Sequence, residues 1–535
     1  MQLLQNTRNT VIKLFTKPTL HNTLYSVGFV LLAIGLPLSK WLTGMSVFWI
    51  VGVWLADPRW QLKWQLLKLN KYKLVASSTI FGITLLGVLY SAPTHYALHD
   101  LRHKLPLLLI PLVMAQTAAI NYRMIKVVLH FFVLANLVAI LICLANVVVS
   151  HIHEPRAISM FISHIRFSLF ICFCVAVCIY YYFTTASYKM YYASGVVVFI
   201  AFLIFLQSLT GIVIIVMLVG VGALYLAVVH RQTKWLVAGT LLLIMLVSVL
   251  INKINTINAG FYYQPNSVLT MPNNTLYKHG YHTTSFGGMC ENGASIDSCV
   301  NLDELKKYWL LRTHGDSLFA GKNRTTGKHY TVLRFLASKH LTKDARGVLA
   351  LSNAEIASIN RGVPNYLYQN KLNPLGRLYE LLYEYNNYKM GFTPNGHSVV
   401  MRVYFARTAW QVFKQHKLIG VGTGNIEVAT QQVYKALQVP LAEKNWFHAH
   451  NQFLTFLATF GVIGVLCIVL AWLFIAKQIG NNKLFSAFAV IILLSFLNED
   501  TLETQAGVGF YGLMLNLFLF QYLPSTTTPK NTTSV

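Results

Sequence analysis

The chain has 535 residues, of which 55% are hydrophobic and only 11% are charged, and its mean hydropathy is strongly positive at +0.51. This composition excludes a soluble globular protein of that length and indicates a polytopic membrane protein. The formal net charge of +26 would favour a nucleic-acid partner in a soluble protein. Here membrane orientation already accounts for many of the Lys and Arg residues, so nucleic-acid binding is not expected.

Twelve mainly apolar runs are candidates for transmembrane helices, since a helix that crosses the hydrocarbon core needs about 20 such residues. No small-residue cleavage site follows the first run, so we interpret it as a retained span and not as a signal peptide. The sequence predicts an all-α polytopic membrane protein with about twelve spans. The runs are centred near residues 30, 48, 82, 110, 137, 174, 199, 219, 243, 464, 490 and 513.

Lys and Arg cluster before the first span and in the even-numbered connections, which the positive-inside rule assigns to the cytoplasm. Both termini are then cytoplasmic, and the ninth span ends on the outer face. We therefore expect an N-terminal membrane domain, an extracytoplasmic domain, three C-terminal spans and a disordered cytoplasmic tail. Their bounds are 1–252, 253–447, 448–523 and 524–535.

The predicted outer domain divides by composition. Residues from about 254 to 330 are rich in Asn, Gly, Thr and Tyr without periodicity, which favours irregular structure. Between Tyr330 and Leu437, apolar residues recur at helical spacing, which predicts a mainly helical region. Cys290 and Cys299 would close a short loop in an oxidising compartment; a disulfide is favoured, and two thiols remain the alternative.

Four segments follow one another at the end of this domain: Ser398-Val399-Val400-Met401-Arg402, Leu418-Ile419-Gly420-Val421-Gly422-Thr423-Gly424-Asn425, His448-Ala449-His450-Asn451 and Gly461-Val462-Ile463-Gly464. In order and spacing they resemble the O-antigen ligase superfamily, which also includes O-antigen polymerases and O-linking protein oligosaccharyltransferases. The resemblance covers residues from about 390 to 470. The twelve-span layout and the single large outer loop are also similar.

The resemblance implies a GT-C-like, metal-independent glycosyltransferase that needs no cofactor and lies in the bacterial inner membrane. Its donor would be an undecaprenyl-diphosphate-linked glycan, and its acceptor would be lipid A core, a growing glycan or a protein on the periplasmic side. The family's essential His and Arg fall on His450 and Arg402. An imidazole can accept the proton of a sugar hydroxyl, and a guanidinium can bind a diphosphate through two parallel hydrogen bonds.

A second Arg of the family, at the turn between the seventh and eighth spans, is missing, because this chain has Leu206-Gln207-Ser208-Leu209-Thr210-Gly211 there. Other outer loops offer replacements, and a charge at the membrane edge is costly unless it is paired or used. We expect Arg166 first, and otherwise Arg156, Arg102 or Lys104.

Each candidate also has a structural interpretation, which the sequence leaves open. Arg402 could be an exposed helix residue, and His450 could be an interfacial anchor. The four loop cations could be ordinary snorkelling side chains. Asn451 could contact the substrate or only cap the tenth span. Glu499 and Asp500 could orient His450 or pair with an arginine, or they could lie in a solvated turn.

Arg407 lies five positions from Arg402 on one predicted helix, roughly 140° away, so the two cannot both face one site. The pairs His448/His450 and His151/His153 have no Cys, Asp or Glu at ligand spacing, so no metal is expected. The run Gly420–Gly424 imitates a nucleotide loop, but it follows a helical pattern, so a tight turn is favoured.

A transporter of lipids or polysaccharides is the rival class of function. It would predict ionisable groups at mid-membrane and broken helices at matching positions of two halves. The predicted spans carry almost no charge at their centres, and the two halves have no visible symmetry. A transferase is therefore favoured over a transporter or a structural role.

Overall fold

The computed structural model describes residues 20–92, 95–117, 121–150, 158–229, 233–262, 275–281, 290–315, 328–369, 374–391 and 393–521. Over these residues the protein is mainly helical, as predicted. It folds as two compact units, one made of Met1–Val219 and Arg402–Val535 and the other of Gly220–Met401. Residues 402–447, expected in the outer domain, thus pack with the first unit. The predicted tail, 524–535, lies outside the described residues.

The helices are as follows in chain order. The first ten are α1 (Leu20–Leu38), α2 (Lys40–Ala56), α3 (Trp60–Ser77), α4 (Thr79–Leu89), α5 (His95–Lys104), α6 (Pro106–Ala115), α7 (Tyr122–Ser150), α8 (His164–Thr184), α9 (Lys189–Phe205) and α10 (Leu209–Val229). They are followed by α11 (Thr233–Ala259), α12 (Leu302–Arg312), α13 (Lys328–Ser338), α14 (Ala345–Leu349), α15 (Asn353–Asn360) and α16 (Pro374–Lys389). The last five are α17 (Ser398–Gln415), α18 (Ile426–Ala436), α19 (Gln452–Ile479), α20 (Lys483–Asn498) and α21 (Gln505–Leu519).

Each of the twelve predicted span centres falls within one of these helices. Within the described ranges, four helices are long and apolar enough to cross a membrane alone: α1, α7, α8 and α19. The pair α3 and α4, bent by 65° at Ser78, would make a fifth. Five further apolar helices are shorter than the usual span, so the count of about twelve stays a prediction.

The core of the first unit is rich in aromatic side chains. The ring of Phe510 in α21 contacts Phe132 of α7, Phe170 of α8 and Phe488 of α20, with centroid distances of 5.8, 4.8 and 5.6 Å. All four rings are buried. Aromatic pairs in such geometry stabilise packing beyond the area they bury, so this contact fixes the helices that position the site.

Helix α19 is broken at Gly461, whose backbone is left-handed (φ 64°, ψ −169°). A chain segment, residues 417–424, docks against the break. The amide of Val462 donates to the carbonyl of Lys417 at 2.9 Å, and the amide of Gly422 donates to the carbonyl of Thr459 at 2.9 Å. Because a break frees backbone groups that an apolar environment cannot hydrate, these bonds satisfy what the helix leaves open.

The glycine-rich run therefore forms the tight turn that the sequence favours. Gly420 and Gly422 have φ values of 67° and 80°, and a Cβ on Gly420 would lie 2.3 Å from the carbonyl carbon of Thr459. The hydroxyl of Thr423 donates to the carbonyl of Thr84 in α4 at 2.8 Å. Two of the four family landmarks, around Gly420 and Gly461, are thus parts of one packing contact.

The second unit has its own core around the fully buried Trp309. Its hairpin pairs β1 (Cys290–Glu291) with β2 (Ala294–Ser295). Helix α12 corrects the expectation of irregular structure from 254 to 330. Asn301 caps it by accepting from the Glu304 amide at 3.1 Å. This Asn-capped start, with acidic residues in the first turn, is a local helix signal that outweighs the polar composition.

The favoured disulfide between Cys290 and Cys299 is not formed in the structure, which corrects that prediction. Both side chains are buried. Cys290 lies in the hairpin opposite Ser295, whereas Cys299 has a left-handed backbone (φ 52°) and its carbonyl accepts from the Lys343 amide at 3.0 Å.

Candidate active site

Residues from four separate parts of the first unit meet at helix ends. Arg402 comes from α17 and His450 from the turn that precedes α19. Glu499 follows the last residue of α20, and Arg166 lies in the first turn of α8. The tenth predicted span starts at Gln452, within a few residues of His450, as expected.

Glu499 is the centre of this cluster. Its Oε1 accepts from Nη2 of Arg402 at 2.5 Å, and its Oε2 lies 3.3 Å from Nη2 of Arg166 and 3.4 Å from Nδ1 of His450. The Glu499 side chain is only 1% exposed, whereas those of Arg402 and His450 are about a third exposed, at 30% and 34%. The carboxylate is therefore buried beneath cationic and imidazole groups that face outward.

Burial by itself would raise the pKa of Glu499. The hydrogen bond from His450 and the charges of Arg166 and Arg402 outweigh burial and hold the pKa below its ordinary value. The carboxylate is ionised at neutral pH and can only accept hydrogen bonds. Nδ1 of His450 must then be the donor, so in the neutral imidazole Nε2 is the acceptor nitrogen.

His450 is held by its backbone as well as by its ring. Its φ is 47°, which is unusual for a residue other than glycine, and its amide donates to Oδ2 of Asp500 at 2.8 Å. The ring stacks on Phe405 of α17, with centroids 5.4 Å apart and planes at 29°. Asp500 is fixed in turn by the hydroxyl of Thr455 at 2.7 Å. Strained backbone of this kind persists only where its surroundings impose it, and it often marks a functional site.

Asn451 is the N-cap of α19, because its Oδ1 accepts from the Leu454 amide at 3.0 Å. Its Nδ2 donates to the carbonyl of Leu497 at 2.9 Å. The side chain thus ties the start of α19 to the end of α20 beside Glu499. The capping interpretation is confirmed, and a direct contact of Asn451 with a substrate stays a prediction.

Asn498 extends the cluster to the start of α10. Its Oδ1 accepts from Nη1 of Arg402 at 3.0 Å, and its Nδ2 donates to the hydroxyl of Thr210 at 2.7 Å. Thr210 lies at the start of α10, in the turn where the family carries its second Arg. The N-termini of α8, α10 and α19 therefore converge on the cluster, and helix N-termini favour a bound anion.

Arg166 is the one substitute cation among the described residues that joins Arg402 and His450 on Glu499. It also donates to the hydroxyl of Ser163 at 3.2 Å, and its buried Nε has no hydrogen-bond partner among the described residues. Arg407 is exposed, as expected for the solvated arginine of α17.

The other three candidate cations, Lys104, Arg102 and Arg156, are not seen to join the Glu499 cluster among the described residues. Lys104 is buried and its Nζ pairs with Asp100 at 2.7 Å and with Glu503 at 2.9 Å, so it cannot reach a diphosphate, which corrects its assignment. Burial opposes its charge, yet the two carboxylates raise its pKa above the ordinary value. Burial and Glu503 raise the pKa of Asp100 to about 7 against the effect of Lys104. Arg102 is exposed, and Arg156 lies outside the described residues.

The two imidazoles of the His448-Ala449-His450 segment face different partners, since His448 stacks on Tyr96 with centroids 5.7 Å apart. In the part of the chain that the structure describes, no three His, Cys, Asp or Glu side chains are grouped so as to hold a metal ion. His151 and His153 lie outside that part.

A family model described as O-antigen ligase matches residues 370–469, less than a fifth of the 535 residues. The matched segment includes α17, the glycine turn, His450 and the start of α19. The match supports the resemblance to the O-antigen ligase superfamily over this segment. The matched segment and the apolar helices together support a membrane enzyme of the O-antigen ligase or polymerase type. No curated protein matches the chain.

Several residues in and around this site were not identified from the sequence. Phe405 looked like an ordinary core position of α17, and Asn498 and Thr210 carry no motif. Asp100 and Glu503 could have been suspected, because the chain contains only 17 acidic residues and both stand in connections between apolar runs. Their partner, Lys104, is far away in sequence from Glu503, and no local signal identifies such a pair.

Proposed function

We propose that the protein transfers a glycan from an undecaprenyl-diphosphate carrier to an acceptor hydroxyl at the periplasmic face of the bacterial inner membrane. The observation that carries this proposal is the shared contact of His450, Arg402 and Arg166 with the buried Glu499. It combines a base and two cations at one point, which is what transfer from a diphosphate needs.

His450 is the proposed general base. Its Nδ1 donates to Glu499, so Nε2 accepts the proton of the acceptor hydroxyl. The oxygen of that hydroxyl attacks the anomeric carbon of the donor sugar, and the bond from this carbon to the diphosphate oxygen breaks. Undecaprenyl diphosphate leaves with the electron pair of that bond. Glu499 stabilises the imidazolium that the proton transfer creates.

Arg402 and Arg166 are the proposed stabilisers of the leaving diphosphate. Arg402 is partly exposed, so its remaining N–H groups are accessible to a ligand while Nη2 stays on Glu499. The three helix N-termini at the cluster add partial positive charge there. A guanidinium binds adjacent phosphate oxygens through its planar fork, and charge developing in the transition state is where such groups contribute most.

The predicted orientation is supported by the four inter-span connections whose residues meet at the cluster. Arg166, Thr210, His450 and Glu499 belong to the connections before the sixth, eighth, tenth and twelfth predicted spans. All four are odd-numbered connections, which the distribution of Lys and Arg assigns to the outer side. A lipid-linked diphosphate is held at the same level, at the edge of the hydrocarbon.

Three activities are compatible with this proposal, and they differ in the acceptor that receives the glycan. Analysis of glycans from a strain lacking the gene tests them: lipid A core without its O-chain indicates a ligase, single-repeat chains a polymerase, and unglycosylated secreted proteins an oligosaccharyltransferase. Complementation with wild type must restore the missing product, and complementation with His450→Ala must not. A normal glycan profile in the deletion strain would contradict the proposal.

Transport is the second candidate, because α19 is broken at Gly461 and a transporter also uses broken helices. The break is filled by the segment 417–424, and the charged groups of the Glu499 cluster lie at helix ends. Transfer in detergent, where no compartments exist, separates the two: a transferase forms its product there and a transporter does not.

A further inference from the structure

A second concave site lies in the first unit, between α5 and the start of α18. Its volume is about 390 Å³, within the range of about 300–1,000 Å³ that is common for small-molecule sites. The cavity is lined by His95, Tyr96, His99, Gly424, Glu427 and Val428. It combines aromatic and imidazole rings with one carboxylate, side chains that suit a sugar ring and its hydroxyls.

The cavity is connected to the proposed base through one stacked pair. Tyr96 packs against the ring of His448 at a centroid distance of 5.7 Å and an interplanar angle of 30°. His448 stands two residues before His450, and Asp500, which binds the amide of His450, also acts electrostatically on Tyr96. A molecule in the cavity is therefore next to the chain segment that carries the base.

Two polar groups of the cavity are available to a ligand. The Tyr96 hydroxyl makes no hydrogen bond to any described residue, and burial together with nearby carboxylates raises the pKa of Tyr96, so it remains a donor. Glu427 is exposed and forms no ion pair within the described ranges. The first offers an O–H donor, and the second offers a strong acceptor for a hydroxyl.

The charges near the cavity differ from those around Glu499. The carboxylate in the cavity lining is that of Glu427, and the lining contains no Lys or Arg. Asp500, Glu503 and Asp100 also act on Tyr96, but the pKa of Asp100 is about 7, and Asp100 and Glu503 share the charge of Lys104. Around Glu499, by contrast, two guanidiniums face one carboxylate. An anionic group is thus favoured beside the arginines and disfavoured in the cavity.

We propose that this cavity is the acceptor site and that it binds an uncharged sugar ring, with Glu427 accepting from its hydroxyls and Tyr96 donating to it. This inference rests on the proposed transferase function and goes beyond it by naming the acceptor chemistry. A neutral glycan end is selected over a phosphorylated sugar, because a phosphate would face Glu427 and the carboxylates beneath Tyr96.

Binding is tested first, without any transfer reaction. Purified full-length protein in detergent is examined by saturation-transfer NMR with methyl β-D-glucopyranoside and with glucose 6-phosphate as probes. We expect saturation of the neutral glycoside, at least a threefold loss of that signal in Glu427→Gln and in Tyr96→Phe, and weaker binding of the phosphate. Glu443→Gln is the matched control, because Glu443 is also an exposed carboxylate but lies outside the cavity.

Transfer is tested second, with acceptor and donor varied separately. Glu427→Gln should raise the KM for the acceptor about fivefold or more, as expected for one lost charged hydrogen bond, with the KM for the donor unchanged. A lower acceptor KM in Glu427→Gln, or preferential binding of glucose 6-phosphate, would mean an anionic acceptor and overturn the inference. Wild-type values for both variants would also overturn it.

The two proposals fail in different ways. If the wild-type protein transfers no glycan to any acceptor, the transferase function is wrong whatever the NMR experiment gives. If transfer proceeds while Glu427→Gln and Tyr96→Phe behave as Glu443→Gln does, only the acceptor site is wrong.

Discussion

Glu499 is one buried carboxylate that serves two guanidiniums and one imidazole. A carboxylate in this position does three things at once. It fixes Nδ1 of His450 as a donor, it offsets the charges of Arg402 and Arg166, and it brings the two guanidiniums to one point. Each of these tasks needs the negative charge and not only the shape of the side chain.

Glu499→Gln should therefore lower kcat by about 10²-fold or more, since an amide neither fixes Nδ1 as the donor nor stabilises the imidazolium. The pKa of Glu499 is lowered in the folded protein, so its stabilising effect is fully present above the ordinary carboxyl pKa. That effect is lost only as the pH falls through the lower folded value. Thermal unfolding from about pH 7 to about pH 2 should show a smaller fall in melting temperature with acid in Glu499→Gln than in wild type. An equal fall in the two proteins would contradict this role.

His450→Ala should abolish transfer while the donor lipid still binds, because a general base contributes about 10²–10⁴-fold to the rate and little to binding. His448→Ala should be milder and should act on the acceptor KM, since His448 stacks on Tyr96 and not on Phe405. Adding a chelator should change nothing. If zinc restored transfer in both the His450→Ala and the His448→Ala variants, the two histidines would form a metal site and His450 would not be a general base.

Arg402→Lys should be severe, because a point charge cannot reproduce the bidentate fork that contacts Glu499 and Asn498 at the same time. The same helix provides a matched control in Arg407→Lys, which changes an exposed arginine five residues away. Transfer rates at saturating and at limiting donor separate binding from chemistry. Equal activity of the two variants would remove Arg402 from the diphosphate site.

At the scale of the element, much of this fold can be predicted from the sequence, and two features cannot. Apolar runs report directly on burial in lipid, so every predicted centre falls in a helix. The break at Gly461 leaves no trace in hydropathy, because the residues on both sides remain apolar. Long-range pairs such as Lys104 with Glu503 are equally invisible, since nothing local in the sequence encodes which connections meet.

The break in α19 gives a prediction about packing. Gly461→Ala places a Cβ 2.3 Å from the carbonyl oxygen of Leu418 and imposes a left-handed backbone on alanine. The segment 417–424 should therefore no longer pack against the break in α19. We expect a lower yield of monodisperse protein and a reduced melting temperature in detergent. Gly52→Ala is the control, because nothing lies within 4 Å of its added Cβ in α2, and alanine favours a helix by up to about 1 kcal/mol over glycine. Equal behaviour of the two variants would show that the break tolerates a side chain.

At the scale of the whole molecule, the site requires that all the connections that supply its residues lie on the same side of the membrane. The arginines, the base and the carboxylate come from sequence positions that are distant from one another, yet all of them belong to odd-numbered connections. An error of one span between residues 184 and 452 would place Arg166 and His450 on opposite sides of a membrane. Because both contact Glu499, the number of membrane crossings between Arg166 and His450 must be even. The contact does not determine how many crossings there are.

The predicted sidedness of these connections is tested by cysteine labelling. Cysteines introduced at Asn360 and at Asn481, both exposed, should react with a membrane-impermeant maleimide from opposite sides of the inner membrane. Asn481 precedes α20 in a connection assigned to the cytoplasm, next to the basic Lys477 and Lys483. Asn360 lies in the segment assigned to the periplasm, so it should be labelled in spheroplasts before lysis and Asn481 only after lysis. Cys467, the exposed native thiol, is first replaced by Ser to remove background. Labelling of both positions from one side would reverse the orientation of the second unit or of α20. The acceptor and the lipid-linked donor would then have to be sought on different faces, and the mechanism built on His450 would fail.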